Sequence, residues 1–384
     1  MKNKLENIAE KFTFLKKKKF WQLLIIFGIL LKLALLPYRA YPGDFSTFLE
    51  PWINFIKENG YFSALRYDFY NYSPAYIYIL VMIAKIGLNS LFSIKIVSFL
   101  FEYLLAFFIG KIIYLKYKNK LFIWLSLAIV PLIPTLLVNS GYWGQCDSVY
   151  AAFAIGSIYF LLKKQPWMSA LFFGLSFAFK MQVVFLLPFF FVMLLRNHIK
   201  IYHFLLVSAV YFLSLLPAWF AGRPLPELLT VYLSQTVHYQ ELTMNFPNIY
   251  IFISNDYYEM AKTIGLLVVF VLTLIFGLIL SKKNIQFTFE NWLQLAFLSV
   301  LTVPFLLPGM HERYMYLGDV LGIVYLFVLR RNMAIPPAVI LLSFYAYLRC
   351  SYLNEILPMA PAFFLYLAVI VFLVYDFKKS LKYA

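Results

Sequence analysis

The sequence predicts an all-α protein that crosses a membrane many times, and three observations carry this. Of 384 residues, 63% are apolar and only 13% are charged, about half the usual charged share. Apolar runs long enough to span a bilayer recur along the whole chain. No ten-residue alternation of the kind found in membrane β-barrels interrupts them. The runs fall at about 20–38, 74–90, 92–115, 121–139, 148–162, 166–180, 182–195, 201–220, 263–281, 291–308, 316–329, 335–349 and 356–376. Several are short for a full crossing, so 11–13 spans in one membrane domain covering 1–384 are expected.

The first run follows a basic cluster, Lys16 to Lys19, and Leu23–Leu36 has the look of a signal peptide. Lys32 interrupts it and no small-residue cleavage site follows, so it reads as a retained span. Two long segments, 39–73 and 221–262, do not span. In the first, Phe48, Leu49, Trp52, Ile53 and Ile56 share one helical face. Pro51 suits a first helical turn and Gly60 a C-terminal cap. A helix over Ser46–Asn59, lying in the membrane interface, would hold Gly43 and Asp44 against the membrane surface.

The net charge of +16 is gathered in short loops: Lys163-Lys164, Arg196 with Lys200, Lys282-Lys283, Arg330-Arg331, and Lys378-Lys379 with Lys382. This is the positive-inside bias, which places these loops and both termini in the cytoplasm. Membrane lipid headgroups are the expected partners of these cations. Nucleic acid is not expected, because no soluble basic domain remains to bind it. Two cytoplasmic termini require an even number of crossings, yet the runs number thirteen. Lys116, Lys118 and Lys120 mark their loop as internal, so the surplus element is placed in 74–115. Pro131 and Pro134 offer a rival location in 121–139. The loop 140–147 is placed outside. Cys146 and Cys350 are too few for a disulfide framework and read as small apolar fillers.

Ionisable groups inside a membrane cost roughly 2.5–3.5 kcal/mol each near a helix centre and usually face a cavity or ligand. Several punctuate these runs: Asp44, Asp147, Lys180, Arg223 and the group His311-Glu312-Arg313. Asp44 fits either a general base or an N-cap of the interfacial helix. Asp147, heading a helix after Trp143-Gly144-Gln145-Cys146, fits an acidic site group or again a cap. Trp143 fits an interface anchor or a platform for a sugar ring. Lys180, two residues before Gln182, fits a phosphate ligand or a snorkelling surface lysine. Arg313 offers a fork matched to phosphate oxygens, His311 can donate beside it, and Glu312 can orient either; a self-contained ion pair is the alternative. His198, His203 and His238 lack metal-ligand spacing, and no Walker-type glycine loop is present.

Taken in order, Gly43-Asp44-Phe45, Tyr72-Ser73-Pro74, Trp143-Gly144-Gln145-Cys146-Asp147-Ser148, Lys164-Gln165-Pro166-Trp167 leading to Phe179-Lys180-Met181-Gln182, and Pro308-Gly309-Met310-His311-Glu312-Arg313-Tyr314 cover most of the chain. In this order and spacing the sequence resembles the GT-C superfamily of polytopic membrane glycosyltransferases, and most closely bacterial relatives of the second mannosyltransferase of GPI-anchor synthesis. The resemblance implies inverting transfer of a sugar, mannose in those relatives, from a polyprenyl-phosphate donor on the non-cytoplasmic face. It implies Asp44 as catalytic base, Asp147 as a second acidic group, and Lys180, His311 and Arg313 at the donor phosphate. Tyr72, Trp143, Gln145, Gln182 and Glu312 are the expected substrate contacts. A glycan or lipid of the cell envelope is the expected acceptor. The loop 221–262 carries no motif of the family, which leaves the acceptor's identity open.

No cofactor is required by this reading, and a divalent metal between Asp44 and Asp147 stays open. Richness in Phe, Ile, Lys and Asn hints at a low-GC bacterium, hence the plasma membrane with undecaprenyl phosphate as carrier. Two other functions compete. A polysaccharide polymerase or ligase would use an oligosaccharide on pyrophosphate, and a lipid or sugar flippase would show internal repeats and a midplane site. No repeat is seen, and the polar groups gather at one face.

Overall fold

A computed structural model describes residues 18–40, 43–238, 240–329, 332–353 and 356–383. Lys16, Lys17, Tyr41, Pro42, Arg330 and Arg331 lie outside the described residues, as do the side chains of His238 and Lys382.

Every apolar run is helical. In chain order come α1 (Lys18–Ala34), α2 (Glu50–Glu58), α3 (Pro74–Ile86), α4 (Ser90–Tyr117) and α5 (Leu121–Ile129). Then follow α6 (Asp147–Leu162), α7 (Pro166–Phe179), α8 (Leu187–Leu195), α9 (Phe204–Phe220) and α10 (Leu225–His238). The last five are α11 (Tyr258–Leu280), α12 (Phe289–Leu306), α13 (Tyr316–Val328), α14 (Ile335–Leu348) and α15 (Met359–Ser380). The only strands among the described residues are two-residue pairings. β1 (Thr243–Met244) runs parallel to β3 (Met310–His311), and β2 (Ile285–Gln286) runs antiparallel to β4 (Lys382–Tyr383).

The chain is therefore an all-α membrane protein. The helices match the expected spans in number but not in length. Five are at least 18 residues long and apolar enough to cross, and a bent pair makes a sixth, while six others have only 10–17 residues. Local chemistry sets the boundaries. Asn89 accepts from Phe92 N at 3.0 Å to start α4, and Lys118 at φ +55° ends it. Pro131 and Pro134 break the run after α5, where Leu121–Leu132 and Pro134–Tyr142 meet at 56°. Proline removes the donor that would continue the ladder and clashes with the preceding turn.

The first long loop folds much as its pattern predicts. A π-turn over Phe45–Leu49 leads into α2, with Pro51 in its first turn. Gly60 at φ +77° follows the C-cap. Leu49, Trp52, Ile53 and Ile56 are buried, and they pack with Tyr76, Ile77 and Leu80 of α3 into a core separate from the main one.

The surplus element is α3. It starts at Ser73, whose hydroxyl donates to Ala178 O at 2.5 Å. Its far end turns at Gly87 into α4, whose Leu91 reaches Gly144. Both ends thus lie on one face, that of loops 143–147 and 180–182. Lys95, one turn into α4, donates to Leu35 O at 2.8 Å on the same level. α4 then runs the full depth, and Lys116 at its far end meets Glu290 at 2.6 Å. Leaving α3 out makes the number of apolar runs even, as the expected placement of both termini on one side requires. The bent run 121–142 follows α4 back despite its kink, from Ile123 beside Gly110 to Ser140 beside Glu102, and brings 140–147 to the end away from the Lys116 loop.

Below that face lies a buried ion pair. Lys32 of α1 meets Glu102 of α4 at 2.5 Å. The Ser140 hydroxyl donates to Glu102 at 2.5 Å and accepts from Lys32 at 3.2 Å. Lys32 is therefore a partnered core residue, which explains a lysine within a span.

The arrangement of α3 is checked by single cysteines in a variant carrying Cys146→Ala and Cys350→Ala. Leu88→Cys is expected to react with an impermeant maleimide from the same side as Tyr61→Cys, and Asn119→Cys only from the other. Reaction of Leu88→Cys from the Asn119 side would show that α3 crosses.

Candidate functional site

The conspicuous polar residues converge on one cavity of about 390 Å³ at the face just described. Asp44, Tyr72, Trp143, Lys180, Gln182, His311, Glu312 and Arg313 all line it. Asp147 and Gln145 do not; they lie one layer behind, 2% and 1% exposed.

Asp44 sits at the head of the π-turn Phe45–Leu49, and its side chain makes no capping bond. The capping alternative therefore falls away, leaving the carboxylate facing the cavity with 28% of its side chain exposed. Ser46 holds the turn instead, its hydroxyl donating to Gly43 O at 2.9 Å.

Asp147 begins α6 but caps nothing either. Its Oδ1 accepts from Lys180 Nζ at 2.6 Å, and its Oδ2 accepts from Asn139 Nδ2 at 2.7 Å. With both oxygens engaged and buried, it is suited to hold Lys180, not to take a proton from a substrate. Lys180 does not snorkel. It follows the last turn of α7, is 8% exposed, and lies 5.0 Å from the centre of the Tyr72 ring.

The group after α12 owes its position to the loop 221–262, which sequence left without a role. β1 pairs with β3 at His311, Gly309 N donates to Leu242 O at 2.9 Å, and Asn248 Nδ2 donates to Leu307 O at 3.0 Å. Gly309, at φ +71°, makes the turn that allows this. Arg313 then points inward among three carboxylates. It lies 2.7 Å from Glu312, 3.6 Å from Asp44 and 3.9 Å from Asp147. His311 Nδ1 approaches Glu312 at 3.7 Å. The alternative of a self-contained ion pair is half right: Glu312 and Arg313 pair, but Arg313 also reaches across the site.

Burial alone would raise the Glu312 carboxyl, but the neighbouring Arg313 and His311 overcome it and bring it down to about 2. Burial lifts the Tyr72 hydroxyl to about 12, so it is a neutral donor, 3.5 Å from Gln145 Oε1. Gln145 thus supports Tyr72 and does not face a substrate. Trp143 packs against Tyr347 with centroids 4.8 Å apart. It is held within the protein as a cavity wall, not spread at the lipid interface.

Other lining residues were not singled out in the sequence. Tyr232 and Gln235 of α10 close one side, as do Asn71 and Cys350. Tyr232 donates to Phe177 O and Gln235 to Asn71 O at 2.5 Å, which fastens α10 to the site. Only the amphipathic pattern of α10 could have flagged them. Cys146 is a buried filler as expected, whereas Cys350 is exposed at the cavity edge. Arg223 lies elsewhere, 4.5 Å from the Tyr70 ring and paired with Asp68.

The pair Asp44 and Asp147 does not fit a divalent ion. Arg313 stands between them, and among the described residues no three His, Cys, Asp or Glu side chains come together to hold one. Compared with known proteins, the chain matches no family model and no curated protein sequence.

Glu312→Gln is expected to destabilise the protein by about 3 kcal/mol, the low end for breaking a buried pair, because Arg313 keeps two other carboxylates. A carboxyl with a depressed pKa stabilises fully above its unfolded value and loses this as pH falls through the folded value. The loss should therefore be full at pH 5 and shrink progressively as pH falls from there toward 2. Denaturation midpoints of wild type and variant at pH 5 and pH 3 check this; a difference that does not shrink between them would contradict it.

Proposed function

We propose that the protein is an inverting glycosyltransferase, moving a sugar from a polyprenyl-phosphate donor to a cell-envelope glycan or lipid. The reaction takes place on the non-cytoplasmic face of a bacterial plasma membrane. The observation that carries this reading is a carboxylate, Asp44, sharing one cavity with two buried cations, Lys180 and Arg313, each backed by its own carboxylate. The GT-C resemblance of the motifs implies the same chemistry.

The donor phosphate takes the place of Asp44 beside Arg313 and also meets Lys180, since both cations flank Asp147. An acceptor hydroxyl attacks the anomeric carbon from the face away from the phosphate. The bond from that carbon to the phosphate oxygen breaks, its electron pair leaves with the lipid phosphate, and the hydroxyl proton passes to Asp44. Lys180 and Arg313 stabilise the charge that develops on the leaving group, where a water-poor wall strengthens them. Tyr72 and Gln182 are placed to orient the sugar, and Trp143 offers it an apolar face. Holding donor and acceptor together contributes several kcal/mol in its own right.

A site confined to one face supports an enzyme over a flippase.

Transfer from a panel of synthetic polyprenyl-phosphate sugars, with the protein in proteoliposomes, tests the reading. Asp44→Asn should fold, bind donor and lose about 10²-fold or more of the transfer rate, the usual range for a general base. Undiminished transfer would remove Asp44 from its role. Wild type that uses only pyrophosphate-linked oligosaccharides would point to a polymerase or ligase.

A further inference from the structure

The turn Leu137–Tyr142 closes the bent run after Pro134 and is wound as a single π-turn. Extra residues of this kind inside helices often mark functional positions. Two adjacent side chains on it, Asn139 and Ser140, are wholly buried and face different networks. Ser140 is clamped by Lys32 and Glu102, as described above. Asn139 Nδ2 donates both to Asp147 Oδ2 at 2.7 Å and to Tyr347 Oη at 2.9 Å.

We propose that Asn139 is a positioning residue for the donor phosphate: acting through Asp147, it fixes the Lys180 ammonium in the cavity wall. The inference rests on the glycosyl-transfer reading and names what sets one of its phosphate-binding cations. The carboxylate of Asp147 has one oxygen for Lys180 and one for Asn139. Without the amide, the second oxygen keeps its negative charge in a buried position and lacks its donor. Arg313 Nε lies 3.9 Å away, within reach of a small rotation of the carboxylate. Turning toward it would swing Lys180 out of line and draw Arg313 away from the cavity. An amide is suited to this place because it supplies hydrogen bonds without adding charge. Its second bond ties the pair to Tyr347, the ring that backs Trp143.

The groups around Asn139 are Asp147, with Lys180 and Arg313 beyond it, and the hydroxyls of Tyr347, Tyr150 and Tyr316. Glu102 and Lys32 sit on the Ser140 side of the turn. Asn139→Asp keeps the shape. In its protonated form it donates to Asp147 as the amide does. Once ionised, it sets a second carboxylate against Asp147, and two carboxylates sharing a site hold one proton to higher pH than either would alone.

The test is binding of a short isoprenyl monophosphate to the purified full chain at pH 5 and pH 9. Each Asn139→Asp affinity is divided by that of wild type, so the titration of the probe itself cancels. The expected result is near parity at pH 5 and a loss of about tenfold or more at pH 9, the scale of a charge-assisted hydrogen bond. A ratio that does not change with pH, whether near unity or uniformly low, overturns the proposal. Should that variant fail to fold, Asn139→Ser must outbind Asn139→Ala, and equal binding overturns it. Wild type that binds no isoprenyl phosphate would instead sink the glycosyl-transfer reading, and this inference with it.

Discussion

The arrangement of the site depends on the pairing of Asp147 with Lys180. The two residues lie at the ends of α6 and α7, and the 2.6 Å contact between them fixes how those ends meet. Neither charge is tolerable there without the other, because removing one partner of a buried pair leaves an uncompensated charge that costs about 3–5 kcal/mol. Ser73 binds the same end of α7 through Ala178 O, so the start of α3 is set by it too. Asp44, on the π-turn ahead of α2, meets Arg313 across the cavity, and Arg313 in turn approaches Asp147. Four separate stretches of chain are registered against one another by these charges.

A second buried pair, Lys32 with Glu102, performs the same task one layer deeper. It fixes α1 against α4 and, through Ser140, the bent run between α5 and α6. That run carries two prolines and an interrupted ladder. Its polar side chains and the apolar Val130, Ile133 and Leu136 hold it in place. Adjacent on this turn, Asn139 and Ser140 diverge and serve two networks on different sides.

Much of this was legible in the sequence, and the reasons differ from residue to residue. The helices are announced by apolar runs, and α2 by the spacing of Leu49, Trp52, Ile53 and Ile56, whose shared face packs on α3. Asp44, Lys180 and Arg313 stand out because a charge between apolar runs needs a cavity or a partner. The same signal cannot tell the two apart, which is why Asp147 and Gln145 turn out to lie behind the wall, supporting it. Lys32 looked only like an interruption, since its partner is far away in sequence. Asn139 and Ser140 carry no charge and sit in an apolar run, so nothing local marks them. Tyr232 and Gln235 reach the cavity because α10 docks on Phe177 and Asn71, and such long-range partners are not visible along the chain. The odd number of runs was a real clue: α3 is long enough to look like a span, yet it folds back to the face it started from.

The charges of the cavity also suit the proposed order of events. Without donor, Arg313 has three carboxylates near it, and Asp44 is the most exposed of the three. An incoming phosphate competes best for the partner that gives way most easily, and burial makes that partner Asp44, not Glu312 or Asp147. Displacement then leaves Asp44 with its charge but without its cation, beside the place where an acceptor hydroxyl must arrive. On the proposed reading, donor binding itself releases Asp44 from its ion pair as the acceptor arrives.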